Sequence, residues 1–457
     1  MTSIPTHVAD KPRIRLPVVA IVGRPNVGKS TLFNRILGKR KAIVGDRPGV
    51  TVDRLEGECQ LGERSVVLVD TGGIGEGTHD TMQPAIDAQV EAALAVADVV
   101  VFVVDAQAGL LPVDTAIADK LRRHHAAAVL VVNKAEQPNV AMEFYALGMG
   151  EPEAVSAAHG QGIRDFLVRL EGVLPDIEEG NGEAEDNLIA SVTVIGRPNV
   201  GKSTLINAWL GRDRMVVSPI AGTTRDAIDS ELPYGNGVVR LVDTAGQRKH
   251  GRISDVIEFV ARVKAVQAFG RADVAVMLLD GGEGIVEQDM RLMSLALEEG
   301  CALVVAVNKL DLLNKQEWEH YVERLDFRMR GMSGVPVHRV TAKQGKGVKS
   351  LLVEAIKAGR RNNFEVGTGE LNRWLMDAQE AQHAPSDHGA VVKLKYAAQI
   401  GTRPPCIKIF CNRPNGLKTS YRRYLEQSFR QTFKLDGVPI RFQFTSSSNP
   451  YAAGDKR

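Results

Sequence analysis

The hydrophobic residues of this chain fall into short apolar runs that alternate with amphipathic stretches, and the alternation repeats. Apolar runs at Val18–Val22 and residues 192–195 each lead into a glycine-containing loop, and a helical pattern follows at residues 31–37 and 204–210. Strand, loop and helix in this order are typical of parallel βαβ units. The pattern predicts two doubly wound α/β domains, one after the other.

The loop between strand and helix has the same eight residues in both copies. They are Gly23, Arg24, Pro25, Asn26, Val27, Gly28, Lys29 and Ser30 in the first copy, and Gly196, Arg197, Pro198, Asn199, Val200, Gly201, Lys202 and Ser203 in the second. In such a P-loop, backbone N–H groups surround phosphates at a helix N-terminus. The lysines are expected to neutralise β and γ oxygens, and the serines to ligate Mg²⁺. Two nucleoside triphosphate sites are therefore predicted.

A second motif is also duplicated, 41 residues after each P-loop lysine and directly after an apolar run. It reads Asp70, Thr71, Gly72, Gly73 in the first copy and Asp243, Thr244, Ala245, Gly246 in the second. At the carboxyl end of a strand the aspartate would hold Mg²⁺ through water. The N–H group of the last glycine would contact the γ-phosphate.

Between these two motifs, each copy has a threonine that is a candidate switch, Thr51 or Thr224. Such a threonine would ligate Mg²⁺ while the γ-phosphate is present and release it after hydrolysis. An ordinary turn residue would give the same pattern.

A third pair of motifs predicts the base. It reads Asn308, Lys309, Leu310, Asp311 in the second copy and Asn133, Lys134, Ala135, Glu136 in the first. The aspartate would accept two N–H groups of guanine, and adenine presents no matching pair of donors, so GTP is favoured. Glu136 keeps the charge but adds a methylene, so we expect weaker affinity or looser base selection at the first site. Residues 156–158 and 341–343 are predicted as the last guanine-contacting loops.

These motifs resemble the EngA/Der family of bacterial GTPases over about residues 17–447. The resemblance includes the paired P-loops and, in the tail, residues 421–426 (Tyr-Arg-Arg-Tyr-Leu-Glu) and 437–440 (Gly-Val-Pro-Ile). It implies GTP hydrolysis coupled to assembly of the large ribosomal subunit, with a small KH-like third domain. Relatives with the loop asparagine seen at Asn26 and Asn199 are often activated by K⁺, although these asparagines could simply shape the loop.

The chain departs from the resembled family at two places. A hydrophobic residue usually follows the Asp-x-x-Gly motif, and Ile74 agrees, whereas the second copy has Gln247. Gln247 would either orient the attacking water or be a solvated side chain of the switch loop. Val52 occupies the position that Arg225 has in the second copy. Because the charge is lost, the sequence does not predict what the first switch loop contacts.

Length and charge predict the domain organisation. A chain of 457 residues is long enough for about three domains. We predict a flexible extension at 1–16, GTPase domains at 17–175 and 188–361 joined by an acidic linker at 176–187, a KH-like domain at 362–447 and a tail at 448–457. The net charge is only +2, but residues 391–457 contain thirteen basic and three acidic residues. This excess predicts binding to RNA phosphates.

The pattern of the third domain predicts a small α/β unit. Helical spacing occurs at Leu371, Leu375 and Ala378 and again from Tyr421 to Phe429, and strands are expected at 391–396, 405–410 and 440–444. The aromatic residues are expected in the core rather than as base-stacking platforms, because they follow periodic faces. The better RNA candidates are the basic residues Lys408, Arg413, Lys418, Arg422, Arg423 and Arg430. Segment 413–416 lacks the Gly-x-x-Gly loop of KH domains, which favours contacts with structured RNA backbone or the GTPase domains.

Other features exclude several classes of protein. Cys59, Cys301, Cys406 and Cys411 have no Cys-x-x-Cys spacing, so reduced thiols are expected rather than zinc ligands or disulfides. No apolar run reaches the ~18 residues of a membrane span, and the leader has no apolar segment typical of a secretory signal. We therefore expect a cytoplasmic monomer whose partners are the large ribosomal subunit and its rRNA, with no DNA or membrane partner. The alternative is an RNA-binding scaffold whose first domain senses nucleotide without catalysis.

Overall fold

The computed structural model describes residues 16–38, 56–62, 64–72, 82–175, 187–211, 229–242, 254–330, 332, 334–385 and 391–446. By its internal contacts the chain divides into two compact units. One is built from Ile14–Gly180 with Arg248–Gln267, and the other mainly from Asn181–Gln247 with Ala268–Arg457. Within the described ranges, no helix is both long and apolar enough to cross a membrane.

The first domain is a six-stranded sheet with helices on both faces. Its elements are β1 Val18–Val22, α1 Lys29–Leu37, β2 Glu56–Leu61, β3 Arg64–Asp70, α2 Met82–Val96, β4 Val99–Asp105, α3 Pro112–Arg123, β5 Ala128–Asn133, a 3-10 helix Pro138–Leu147, β6 Glu153–Ala154 and α4 Ile163–Val173. The strand order is β2-β3-β1-β4-β5-β6, and only β2 is antiparallel to its neighbour. Strand β4 is fully buried, as its unbroken apolar sequence requires.

The second domain repeats this topology. Its elements are β7 Leu188–Ile195, α5 Lys202–Leu210, β8 Ser230–Tyr234, β9 Gly237–Val242, α6 Ser254–Arg271, β10 Val274–Asp280, α7 Glu287–Glu298, β11 Ala302–Asn308, 3-10 helices Leu310–Leu312 and Ala342–Gln344, α8 Lys315–Arg328, β12 Val337–Arg339 and α9 Val348–Asn362. The order β8-β9-β7-β10-β11-β12 again has one antiparallel edge strand. The predicted fold class is confirmed for both domains.

The third domain is a three-stranded sheet covered by two helices. Its elements are α10 Thr368–Ala381, β13 Leu394–Thr402, β14 Pro405–Cys411, a 3-10 helix Pro414–Gly416, α11 Thr419–Phe433 and β15 Arg441–Ser446. The central strand β14 is antiparallel to β13 and parallel to β15. The expected strand at 391–396 was wrong in its bounds, because β13 pairs with β14 as far as Thr402. Two register shifts within β13 remove the simple alternation that marks a strand in sequence.

The third domain packs directly against the second GTPase domain. A fully buried carboxylate, Asp273, precedes β10, and its Oδ1 lies 2.7 Å from Nε of Arg403 in the turn between β13 and β14. The other oxygen of Asp273 accepts a hydrogen bond from the N–H of Ser191 in β7, at 2.7 Å. Leu303 N donates to the carbonyl of Gly437, also at 2.7 Å. These contacts lie near the amino ends of the strands, opposite the P-loop.

Candidate functional site

The first P-loop lies at the carboxyl end of β1, at the edge where β3, β4 and β5 also end. Helix α1 begins at Lys29, so its first N–H groups face the loop. Gly23 has a φ of +153°, and a Cβ there would collide with the carbonyl oxygen of Val103. A Cβ at Gly28 would collide with the side-chain amide of Asn133. The glycines therefore let the loop lie against β4 and β5.

The second P-loop has the same geometry. A Cβ at Gly196 would collide with the carbonyl oxygen of Leu278, and one at Gly201 with the side-chain amide of Asn308. The loop asparagines, Asn26 and Asn199, both have a φ of 64°. Asparagine tolerates this left-handed conformation better than most residues, so both side chains suit the shape of the loop.

The P-loop lysines are held inside their loops. Lys202 Nζ donates to the carbonyl oxygens of Gly196 at 2.8 Å and Arg197 at 2.7 Å. Lys29 makes the equivalent bonds at 2.7 and 3.0 Å. Burial lowers the pKa of Lys202 to about 8. A phosphate beside this buried ammonium would stabilise its charged form.

The second residue of each P-loop does not face the phosphate position. Arg197 Nε lies 3.1 Å from Asp289, and its other nitrogens donate to Glu283 at 2.7 Å and to the carbonyl of Gly284 at 3.2 Å. The first domain has the corresponding pair of Arg24 and Asp114 at 3.3 Å, without hydrogen-bond geometry. The arginines thus hold the P-loop against α3 in the first domain, and against α7 and the loop before it in the second.

The aspartates of these two pairs are fully buried. Burial raises the pKa of Asp289, although a backbone hydrogen bond from Val286 and the charge of Arg197 oppose the rise. The pKa of Asp114 is raised for the same reason, against the N–H of Leu111 and Arg24. Each aspartate thus caps a helix and contacts a P-loop arginine, a role that the sequence analysis missed. Alignment of the two copies would have shown this aspartate in both.

The predicted Mg²⁺ oxygens of the first site lie together. The hydroxyl of Ser30 donates to Oδ2 of Asp70 at 2.7 Å, where α1 and β3 meet. Oδ1 of Asp70 accepts from the N–H of Gly72 at 2.9 Å, and Thr71 Oγ1 donates to the carbonyl of Ile21 at 2.8 Å. A hydroxyl and a carboxylate are suitable Mg²⁺ ligands. In the second domain Ser203 is the second residue of α5, as Ser30 is of α1.

Several predicted residues lie outside the described residues, so their placement stays a prediction. They are Thr51, Val52, Gly73, Ile74, Thr224, Arg225, Asp243, Thr244, Ala245, Gly246 and Gln247, together with most of the acidic linker.

The asparagines of the base motif hold two loops together. Asn133 Nδ2 donates to the carbonyl of Val27 at 2.8 Å, and its Oδ1 accepts from the N–H of Ala157 at 3.0 Å. Asn308 repeats both bonds, with Val200 at 2.8 Å and Ala342 at 2.9 Å. Each amide therefore joins the P-loop to the predicted guanine loop.

Each lysine of the base motif pairs with an aspartate at the carboxyl end of the neighbouring strand. Lys134 Nζ contacts Asp105 at 2.6 Å and the carbonyl of Asn26 at 2.8 Å. Lys309 contacts Asp280 at 2.6 Å. Burial alone would raise the pKa of Asp280, but hydrogen bonds from Lys309 and from the Gly282 N–H outweigh it and lower that pKa.

A cleft of 280 Å³ adjoins the second base motif. Leu310, Asp311, Arg339, Thr341 and Lys346 are among the residues that line it. Asp311 is exposed. In the first domain Ala135 is buried and Glu136 is exposed. That Asp311 and Glu136 contact guanine stays a prediction.

The helix after each P-loop makes different contacts near the predicted guanine loop in the two domains. In the first, Arg35 of α1 donates to the carbonyl of Ala157 at 2.8 Å and to that of Ala158. In the second, the indole N–H of Trp209 in α5 donates at 2.9 Å to the carbonyl of Val348, which begins α9 after the loop at 341–343. The sequence analysis missed both residues. No motif signals them, because their partners are distant backbone atoms.

We expect GDP to bind more weakly at the second site as the pH rises through about 8, because the phosphates need protonated Lys202. In a Lys29→Ala chain, titration with fluorescent GDP should show a Kd about 10-fold higher at pH 9 than at pH 7. Adding Lys202→Met to this chain should remove the dependence. A flat Kd with Lys202 present would contradict the role of the buried ammonium.

We expect Arg35→Ala to weaken GDP binding at the first site about fivefold, because the guanine loop loses two hydrogen bonds. The measurement is GDP titration in a Lys202→Ala chain. The matched variant is Trp209→Phe in a Lys29→Ala chain, which should weaken the second site alone. Unchanged affinity in Arg35→Ala would show that the loop holds its shape without this side chain.

Comparison with known proteins agrees with the geometry. Residues 18–134 and 191–309 match a family described as 50S ribosome-binding GTPase, and residues 365–445 match the KH-domain-like C-terminal part of EngA bacterial GTPases. The chain is 42% identical over 450 residues to GTPase Der of Azorhizobium caulinodans, covering 96% of this chain and 99% of that one. It is 43% identical over 433 residues to GTPase Der of Moorella thermoacetica, covering 94% and 98%. The chain therefore belongs to the EngA/Der family of tandem-domain bacterial GTPases.

Proposed function

We propose that this GTPase binds and hydrolyses GTP in both domains and uses its nucleotide state to assist assembly of the large (50S) ribosomal subunit. The observation that carries the proposal is the duplicated site. In each domain the P-loop and guanine loop meet at the same sheet edge, joined by Asn133 or Asn308. A domain that had lost nucleotide binding would not need this construction.

In this proposal the protein acts mainly by positioning and charge neutralisation, as is usual for phosphoryl transfer. Lys29 and Lys202 would hold β and γ oxygens. Ser30 and Asp70 in the first site, and Ser203 and Asp243 in the second, would hold a Mg²⁺ ion that neutralises phosphate charge. Thr51 and Thr224 would each ligate the ion of their own site in the GTP state. The N–H groups of Gly73 and Gly246 contact the γ-phosphate, and Gln247 is a candidate for orienting water at the second site.

We also propose K⁺ as a second cation, held by Asn26 and Asn199 beside the phosphates. Its charge would partly replace an arginine finger. The left-handed backbone of both asparagines is equally compatible with a purely structural role. A hydrolysis rate that is the same in K⁺ and Na⁺ buffers would support the structural role.

The proposed partner is the large ribosomal subunit, contacted through rRNA. Support comes from the description of the matched family and from the basic character of residues 391–457. We expect a cytoplasmic monomer, with no DNA or membrane partner. GTP would set the switch loops and the packing of the third domain, and hydrolysis would release the protein from RNA.

The test is co-sedimentation of the full chain with large ribosomal subunits over a salt series, in a non-hydrolysable GTP analogue, in GDP and without nucleotide. Binding should be strongest with the analogue and weaken with salt. Absence of binding in every state would contradict the ribosomal role.

Lys29→Ala and Lys202→Ala variants separate catalysis from sensing. If both domains hydrolyse GTP, each variant should lower the turnover of the full chain. If the first domain is only a nucleotide sensor, Lys29→Ala should lose one bound nucleotide without changing total hydrolysis. That result would favour the scaffold alternative.

A further inference from the structure

The two faces of the third domain's sheet differ in chemistry. One face is the core, where Ile407, Ile409 and Phe442 pack under α10 and α11. Trp374 of α10 stacks on Phe442 at 5.9 Å between ring centroids, and Phe429 of α11 meets the same ring edge-on at 5.7 Å. Because the helices cover this face, Ile407 and Ile409 are fully buried.

The opposite face has aromatic side chains that the core does not use. Tyr396 pairs with Phe410 across β13 and β14, and their ring centroids are 6.1 Å apart. Tyr396 is 43% exposed and Phe410 is partly exposed. Exposed aromatic rings side by side on a sheet add little to folding, because they leave much apolar area in water.

Polar and basic groups surround this pair of rings. Lys408 Nζ lies 5.6 Å from the centroid of the Phe410 ring. On β15, Gln443 pairs with Lys408, and Thr445 pairs with Phe410. Both side chains are partly exposed. We call this set the aromatic face: Tyr396, Phe410, Lys408, Gln443 and Thr445.

The loop that clamps nucleotides in ordinary KH domains is used differently in this chain. Segment 413–416 has one glycine and forms a short 3-10 helix. Arg422 of α11 donates to the carbonyl of Pro414 at 3.0 Å and to that of Leu417 at 3.2 Å. The loop is thus tied to its own helix by Arg422.

We propose that the aromatic face is a binding site for single-stranded RNA, with bases stacked on Tyr396 and Phe410. Lys408 faces the phosphates, and Gln443 and Thr445 contact base edges. Stacking on sheet aromatics is an established way to bind single strands with little sequence selectivity. The basic excess of residues 391–457 favours RNA over an apolar peptide. This inference rests on the proposed function, because it names the RNA contact of the same GTPase.

The test measures binding of a fluorescein-labelled 12-nucleotide single-stranded RNA and of large ribosomal subunits to the full chain. Tyr396→Ala and Phe410→Ala should each raise the Kd for the RNA about 10-fold, and Tyr396→Phe should leave it near the wild-type value. Lys408→Gln should reduce the slope of log Kd against log salt by about 0.7. Tyr145→Ala is the matched control, since Tyr145 in the first domain is 47% exposed.

Each variant must keep the wild-type melting temperature and GTP hydrolysis rate, so that a loss of RNA binding is local. If the alanine variants bind the RNA as tightly as Tyr145→Ala does, the aromatic face is not an RNA site. This holds whether or not the variants still bind large ribosomal subunits. If they lose the RNA while subunits still co-sediment normally, the RNA site stands, and the ribosomal contact lies elsewhere. If the wild-type chain binds subunits but no single-stranded RNA, the inference fails and the proposed function survives.

Discussion

Each nucleotide site depends on one buried amide. Asn133 and Asn308 stand at the carboxyl ends of β5 and β11, and each donates to a P-loop carbonyl while accepting from the N–H of the guanine loop. Both side chains are buried, so water cannot replace these bonds without cost. The P-loop and the predicted guanine loop are therefore held together in each domain. Only asparagine or glutamine has an amide to donate and accept at once, and glutamine is longer by a methylene.

Both domains have this amide, but they differ in other residues of the site. At the base motif the second domain has Asp311 and the first has Glu136. In the first, Arg35 bonds to the loop at 156–158, whereas Trp209 of the second bonds to the start of α9. The P-loop arginine of the second domain contacts Glu283 as well as Asp289, while Arg24 of the first has Asp114 alone among the charged contacts described. The sites are alike at the phosphates and differ around the base.

The sequence predicted the features that depend on local pattern. The order of strand, loop and helix, the position of Asp70 beside Ser30 and the helices of the third domain all follow from periodicity and turn chemistry. Features that depend on distant partners were not predicted. The ion pairs of Arg24 with Asp114 and of Arg197 with Asp289 have no signal in the sequence, and neither have the bonds by which the asparagines of the base motif join two loops. Periodicity predicted Tyr421 and Phe429 correctly as core, but it could not show which face of a bulged strand Tyr396 occupies.

The central claim is that the chain has two working guanine nucleotide sites, and the most direct measurement is the binding stoichiometry of GDP. Calorimetric titration of nucleotide-depleted full chain with GDP should give two sites per chain, which ADP does not fill. A stoichiometry of one would contradict the account, because it would show that one of the two domains keeps the loops and the buried amide without binding nucleotide.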